Sequence, residues 1–283
     1  LAWMTEAFTG AGIDSPRLCA ELLLSHVIGC ERLRLYMEAD RPASPLERSQ
    51  LRALVSRALK HEPTQYLVGE AWFFSLPYHV DRRVLIPRPS TETIIELALQ
   101  YARVRPDLER ATIADVCTGS GCIAITLAKR LEGARVAACD ISPGALEVAK
   151  MNAHRHKVED RIDFLEGDLV ARLLEHPIGR EVDVLAANPP YIPDAEWEQV
   201  EPNVKEFEPE SALRGGADGL LFVGPLIAEA PKRLREGGLL LIEIAASTAL
   251  EVEARAKAHA MLRDIRIEQD SDGLPRVLRA VRA

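Results

Sequence analysis

Asn188-Pro189-Pro190-Tyr191 is a set of residue types suited to holding an NH2 group. An Asn side-chain oxygen can accept one N–H of a planar amide or amine, and a backbone carbonyl can accept the other. Two consecutive prolines remove two backbone donors and stiffen the turn, which leaves carbonyl acceptors facing a fixed direction. Tyr191 adds a flat aromatic face for a planar group or a cation. The tetrapeptide follows the apolar run 182–187, which reads as a buried strand leading straight into it. Pro-Pro by itself describes a rigid turn equally well, so the rest of the chain decides.

A second segment, Asp115-Val116-Cys117-Thr118-Gly119-Ser120-Gly121-Cys122, lies between a strand-like run at 112–117 and a helical pattern at 123–131. Gly119 and Gly121 let the backbone turn sharply and approach a ligand closely. Asp140 ends the next strand-like run, where its two oxygens can grip ribose hydroxyls. A nucleoside-containing cofactor is therefore expected over Cys117, Thr118, Gly119, Ser120, Gly121 and Asp140. The spacing Gly119-x-Gly121-x-x-Ala124 also satisfies a loose dinucleotide fingerprint. Three features favour S-adenosylmethionine (SAM) over NAD. Asp115 can pair with the cofactor's ammonium, and Asp168, followed by Leu169 after the third strand, can meet an adenine amino group. Asn188 stands at the end of the fourth strand, beside the place of a transferable methyl.

The elements that must carry these residues alternate strictly. Strands are predicted at 112–117, 135–140, 161–165, 182–187 and 238–244, with helices between them. This is the pattern of a doubly wound parallel sheet. Segments 265–268 and 277–281 flank a turn-rich stretch and must run antiparallel, because a short turn joins them. Seven strands of this kind, Rossmann-like with an antiparallel C-terminal hairpin, outline a class I methyltransferase. Upstream, Ser15-Pro16 and the capping box Ser44-Pro45-Leu46-Glu47 open short amphipathic helices. Residues 1–70 are accordingly predicted as a small all-α domain for docking a substrate, 71–90 as a β-hairpin linker, and 91–283 as the catalytic domain.

Bulk properties narrow the function classes. The chain has 283 residues, 47% of them hydrophobic, and a net charge of −8. No apolar run approaches the ~20 residues that span a bilayer, so a soluble cytoplasmic protein is expected. Acidic and basic residues balance over 1–86, and the excess acid lies downstream. Between Asp194 and Glu210 a series of carboxylates faces the single cation Lys205. Such a surface suits nucleic acid poorly, since phosphate neutralisation dominates that affinity. The five cysteines form no CxxC pair, and reduced buried thiols are expected instead of a metal site.

With those residues in hand, the chain resembles the HemK family (also called PrmC) of protein-(glutamine-N5) methyltransferases that modify peptide chain release factors. The similarity runs nearly end to end. Asp14-Ser15-Pro16-Arg17-Leu18 resembles that family's helical domain, and Val84-Leu85-Ile86-Pro87-Arg88-Pro89 its linker. Asn188-Pro189-Pro190-Tyr191, Phe207-Glu208-Pro209 and Gly215-Gly216-x-Asp218-Gly219-Leu220 resemble its site and the segment after it. Cys117 stands where release-factor enzymes usually have Gly and is more like a sister family that methylates a ribosomal protein. Ala71-Trp72-Phe73 leans the same way, while Ser90 and Ala245 replace a usual Glu and Gly.

The resemblance implies SAM as cofactor, a release factor as protein substrate and a monomer that binds no nucleic acid directly. It further implies that Asn188, Pro189, Pro190 and Tyr191 hold the glutamine of a Gly-Gly-Gln loop. Asn188 Oδ1 and the Pro189 carbonyl would each accept one amide hydrogen, and Tyr191 would pack on the amide plane. Two alternatives stay open at this point: N5-glutamine methylation of a large-subunit ribosomal protein, and N6 methylation of adenine in nucleic acid.

Overall fold

Residues 1–105, 108, 110–178 and 181–283 are described by a computed structural model, and they divide into two compact units. The first comprises Leu1–Glu70 together with Glu201–Phe207. Its helices are α1 (Ala2–Gly10), α2 (Pro16–Ile28), α3 (Arg32–Met37), α4 (Pro45–Ala58) and α5 (Thr64–Val68), with the single turn α9 (Pro202–Lys205) in the later segment. Apolar residues at helical spacing bury one core from Met4, Phe8, Ala20, Leu23, Val55, Ala58 and Leu67. The capping box of α4 forms as predicted: Glu47 N donates to Ser44 Oγ at 3.2 Å, and Ser44 N donates to Glu47 Oε2 at 2.7 Å. Ser15 departs from expectation. Its backbone is left-handed and its side chain caps nothing, so Pro16 alone sets the start of α2.

The second unit comprises Ala71–Val200 and Glu208–Ala283. Strands β1 (Glu70–Phe73) and β2 (Leu76–His79) form a two-stranded sheet. They are joined by Phe74-Ser75, both at positive φ, as a tight two-residue turn demands. Residues 84–86, expected to extend this hairpin, are not strand. Helix α6 (Glu92–Arg103) leads into the main sheet of β3 (Thr112–Val116), β4 (Arg135–Asp140), β5 (Ile162–Glu166), β6 (Val182–Ala187), β7 (Leu234–Glu243), β8 (Leu262–Gln269) and β9 (Pro275–Arg282).

Their spatial order is β5-β4-β3-β6-β7-β9-β8. The first five are parallel, and β9 runs antiparallel to both β7 and β8. Helices α7 (Cys122–Arg130), α8 (Pro143–His156), α10 (Val223–Glu229) and α11 (Ala249–Lys257) accompany the strands, and an apolar cluster fills each face of the sheet. Every residue of β6 is buried, which is why it reads as a continuous apolar run without alternation. After β5 the chain returns to pair β6 with β3. That reversal of strand order opens a crevice at the carboxyl ends of β3 and β6.

Candidate active site

A cavity of about 700 Å³ occupies that crevice, within the usual range for a small-molecule site. Its floor is the turn after β3, with Cys117, Thr118, Gly119 and Ser120 on the wall. Gly121 is obligatory here, since a Cβ would fall 2.9 Å from Ile125 Cδ1 and 3.1 Å from Ala149 Cβ at φ +81. Asp140, at the end of β4, braces the turn from the side. Gly119 N donates to its Oδ2 and Ser142 N to its Oδ1, both at 2.9 Å. Burial raises its pKa, and these two backbone donors oppose the shift. Asp168 and Leu169 complete this side, the former exposed at the rim.

Asp115 does not line the cavity, so direct pairing with a ligand ammonium gives way to a role beneath the turn. It is fully buried, and its Oδ2 accepts from Thr118 Oγ1 at 2.6 Å and from Ala124 N at 3.1 Å. Burial pushes its pKa from 3.8 up to about 7. A folded value above the unfolded one stabilises the fold most at low pH, and that contribution is lost as pH rises towards 7. Asp115→Asn removes the titration. Its stability relative to the parent should therefore improve by roughly 3 kcal/mol between about pH 5 and pH 8. Denaturant unfolding at both values checks this, and a pH-independent difference between the two proteins refutes it.

Asn188 and Pro190 line the cavity, while Pro189 is buried and Tyr191 half-buried just beyond it. Asn188 Nδ2 donates to Thr91 Oγ1 at 3.2 Å. Among the described residues nothing donates to Asn188 Oδ1 or to the Pro189 carbonyl. Tyr191 Oη donates to Glu243 Oε1 at 3.0 Å, and burial raises the tyrosine's pKa strongly. The chain after the tetrapeptide pairs with 213–216 through Ile192 N to Leu213 O (2.9 Å) and Gly215 N to Ile192 O (2.8 Å). Gly215 has to be glycine, because its Cβ would stand 2.7 Å from Tyr191 Cα. The motif that begins at Gly215 therefore exists to back the tetrapeptide.

Three residues at this site were not singled out from sequence as chemistry-bearing. Thr91 is 1% exposed and belongs to the cavity wall beside Asn188. Glu243 is 0% exposed beneath Tyr191, and a lone carboxylate ending the run Leu239–Ile242 was the available signal. Glu208 ties two walls together. Its carboxylate accepts from Ile86 N at 3.0 Å and from Arg88 Nη2.

The first unit coincides with a match to the PrmC N-terminal domain over residues 1–69, and residues 98–205 match the methyltransferase small domain. The release factor glutamine methyltransferase of Chlorobaculum tepidum is 43% identical over 96% of this chain and 92% of its own length. That of Geobacter sulfurreducens is 39% identical over 98% and 94%. The chain belongs to the release factor glutamine methyltransferase family. At the level of fold alone, it resembles a methyltransferase from Pyrococcus furiosus, with 15% identity, a TM-score of 0.51 and coverage of 83% of this chain and 98% of that one.

Cys117 stands at the first turn position after β3. Its φ is +60, a left-handed conformation that costs a residue with a Cβ roughly 1–2 kcal/mol. The loop therefore keeps its shape against the preference of the residue. Burial and the neighbouring Asp140 carboxylate push the thiol's pKa well up, so it sits there as a small neutral wall group. All five cysteines are free thiols, Cys122 and Cys139 buried and the others partly so. Among the described residues no helix is long and apolar enough to cross a membrane, and no cluster of His, Cys, Asp and Glu could hold a metal ion.

Proposed function

We propose that this protein transfers the methyl group of SAM to the side-chain amide nitrogen (N5) of the glutamine in the Gly-Gly-Gln motif of peptide chain release factors. The observation that carries this reading is Asn188, which lines a cofactor-sized cavity with an Oδ1 that receives no donor among the described residues; the adjacent Pro189 carbonyl likewise receives none. Two acceptors on a proline-stiffened turn match the two hydrogens of a primary amide. Bound SAM supplies a methyl carbon made electrophilic by its sulfonium.

The cavity residues fit that cofactor. Each Asp140 oxygen accepts one backbone N–H and keeps lone-pair capacity for ribose hydroxyls. The exposed Asp168 carboxylate has no protein partner among the described residues and is free to accept from an adenine amino group. Leu169, Ile123 and Ile141 offer apolar contact to the base. Asp140→Ala should weaken SAM binding by ~1–3 kcal/mol through loss of charge-assisted hydrogen bonds. Calorimetry with SAM measures it, and an undiminished affinity removes Asp140 from the ribose.

An amide nitrogen is a poor nucleophile, because its lone pair is delocalised into the carbonyl. Position is what this chain adds. Asn188 and Pro189 take the two amide hydrogens, which points the nitrogen lone pair into the cavity, and Tyr191 presents its ring to the amide plane. Such orientation is worth ~7–11 kcal/mol in favourable cases. The acceptors also stabilise positive charge growing on nitrogen. No side chain is assigned as general base, since the proton can leave after transfer.

The helical unit is the second half of substrate selection. One glutamine side chain offers little surface, whereas a standard protein interface buries roughly 1,600 Å². Residues 1–70 supply the additional docking area, and the protein acts as a monomer. Incubation with labelled SAM, followed by mass spectrometry, should place one methyl on the glutamine of intact release factor. A free Gly-Gly-Gln peptide should be a poor substrate. Labelling of a large-subunit ribosomal protein with release factors ignored would overturn the substrate and leave the amide chemistry standing.

A further inference from the structure

Helix α8 carries a residue that a helix does not favour. Asn152 sits inside Pro143–His156, where Asn is a poorer helix former than Ala, and it is fully buried. A buried amide needs partners for its polar atoms, and this one finds them outside the helix. Nδ2 donates to Ser120 O at 2.9 Å and to His79 O at 3.0 Å, while Oδ1 accepts from His79 N at 2.7 Å. One side chain thus closes on two segments, 32 and 73 positions away. Both lead into the cavity wall. Ser120 belongs to the turn after β3, and His79 ends β2, shortly before the wall residues 82–85.

We propose that Asn152 is a positioning residue for the cofactor, which fixes the Ser120–Gly121 peptide from behind and sets the 82–85 wall in register with it. This rests on the function proposed above for the identity of the cofactor alone. The oxygen of that peptide is Ser120 O, taken by Asn152, and its N–H is that of Gly121, which donates to Thr118 O at 2.8 Å. A planar group held at both ends keeps its tilt. Gly121, left-handed at φ +81, would otherwise allow the plane to swing, because glycine has the widest backbone freedom. Ser120 and Gly119 are thereby kept on the wall in one geometry. Asp115 holds this turn from below and Asp140 from the side, and Asn152 supplies a third support.

The other arm runs alongside α8. His156 Nε2 donates to Pro77 O at 2.8 Å, Asn152 holds His79 at both its N–H and its carbonyl, and Glu147 Oε2 accepts from Arg83 Nη1 at 2.8 Å. Residues 147, 152 and 156 share one side of the helix and meet 83, 79 and 77, so the chain entering the cavity wall is laid antiparallel along α8. The flanking contacts are of another kind. The Glu147 side chain is 68% exposed, and His156 serves one carbonyl of the hairpin. Of the three, Asn152 is the one that also holds the turn.

Asn152→Ala removes all three hydrogen bonds while suiting the helix, and it should raise the Kd for SAM ~10–100-fold. Asn152→Asp keeps an acceptor for His79 N but turns a carboxylate on the Ser120 and His79 carbonyls, and should raise the Kd at least as far. Calorimetry well below the melting transition of each variant measures both, so loss of folded protein does not enter. Should the carboxylate variant fail to fold, Asn152→Ala carries the test alone. Amide hydrogen exchange on the SAM-free protein supplies a readout that general destabilisation would not give. The Gly121 N–H should exchange ~10-fold faster or more in Asn152→Ala, well beyond any change at the amides of β3 and β6. A raised Kd together with this selective loss at Gly121 supports the assignment. Selective loss at Gly121 in a parent protein that binds no SAM refutes the cofactor and leaves Asn152 as the support of that turn. An unchanged Kd in Asn152→Ala, or exchange that rises no more at Gly121 than in β3 and β6, overturns it.

Discussion

Asn188→Ala is expected to cut methyl transfer to release factor by about 100- to 1,000-fold, the scale seen when one preorganised polar group is removed from a reacting centre. SAM affinity should change by no more than a few-fold. The difference follows from where the side chain points. Asn188 contributes one edge to the cavity wall, while its Nδ2 is spent on Thr91 and its Oδ1 has no donor among the described residues. The cofactor keeps Asp140, Asp168 and the turn after β3 in the variant. The glutamine amide, by contrast, loses one of two acceptors and with it the alignment of its nitrogen. Loss confined to kcat identifies an interaction made in the transition state. Methyl transfer under saturating SAM, set beside calorimetric binding, measures both terms. Equal losses would make Asn188 chiefly a cofactor residue.

Much of this architecture was legible in the sequence because its signals are local. Parallel strands buried on both faces, such as β6, announce themselves as apolar runs. Turn chemistry at Gly119–Gly121 and at the two prolines is fixed within a few residues, so these two turns could be read directly. What escaped was long-range polar pairing. Asn188 meets Thr91 across 97 positions, Tyr191 meets Glu243 across 52, and Ile86 meets Glu208 across 122. No periodicity encodes such contacts, since each depends on where two separate strands or loops end.

Asp115 and Ser15 show the opposite failure. Each has a residue type that fits a familiar local role, and the backbone around it assigns another. An acid opening a glycine-rich loop looks like a ligand group, but the side chain turns under the loop to receive Thr118 and Ala124. The identical Asp, at the end of β4, faces outward as Asp140. The difference lies in depth: Asp115 is one residue inside its strand, and Asp140 closes its own.

The second large effect is structural. Glu208→Ala should destabilise the protein by about 3–5 kcal/mol, the cost of deleting one partner of a buried ion pair. The Glu208 side chain is 1% exposed and Arg88 31%, so the carboxylate is the desolvated member and the guanidinium half of the pair can partly rehydrate. The backbone donor is less forgiving, because Ile86 N is itself buried and gives its hydrogen to Oε2 at 3.0 Å. Prolines stiffen both arms, with Pro87 and Pro89 around Arg88 and Pro209 directly after Glu208. Without the carboxylate, neither rigid arm has a way to bend and find a substitute. Pro87, Pro209 and Glu210 all belong to the cavity wall, so loosening the arms should also weaken SAM binding severalfold. Arg88→Met in the Glu208→Ala background should cost little more, since the guanidinium has by then lost its partner. Thermal melts and calorimetry on the two single variants and the double one measure the coupling. A Glu208→Ala protein that melts with the parent and binds SAM equally well would show that 84–89 and 208–212 hold their places without this pair.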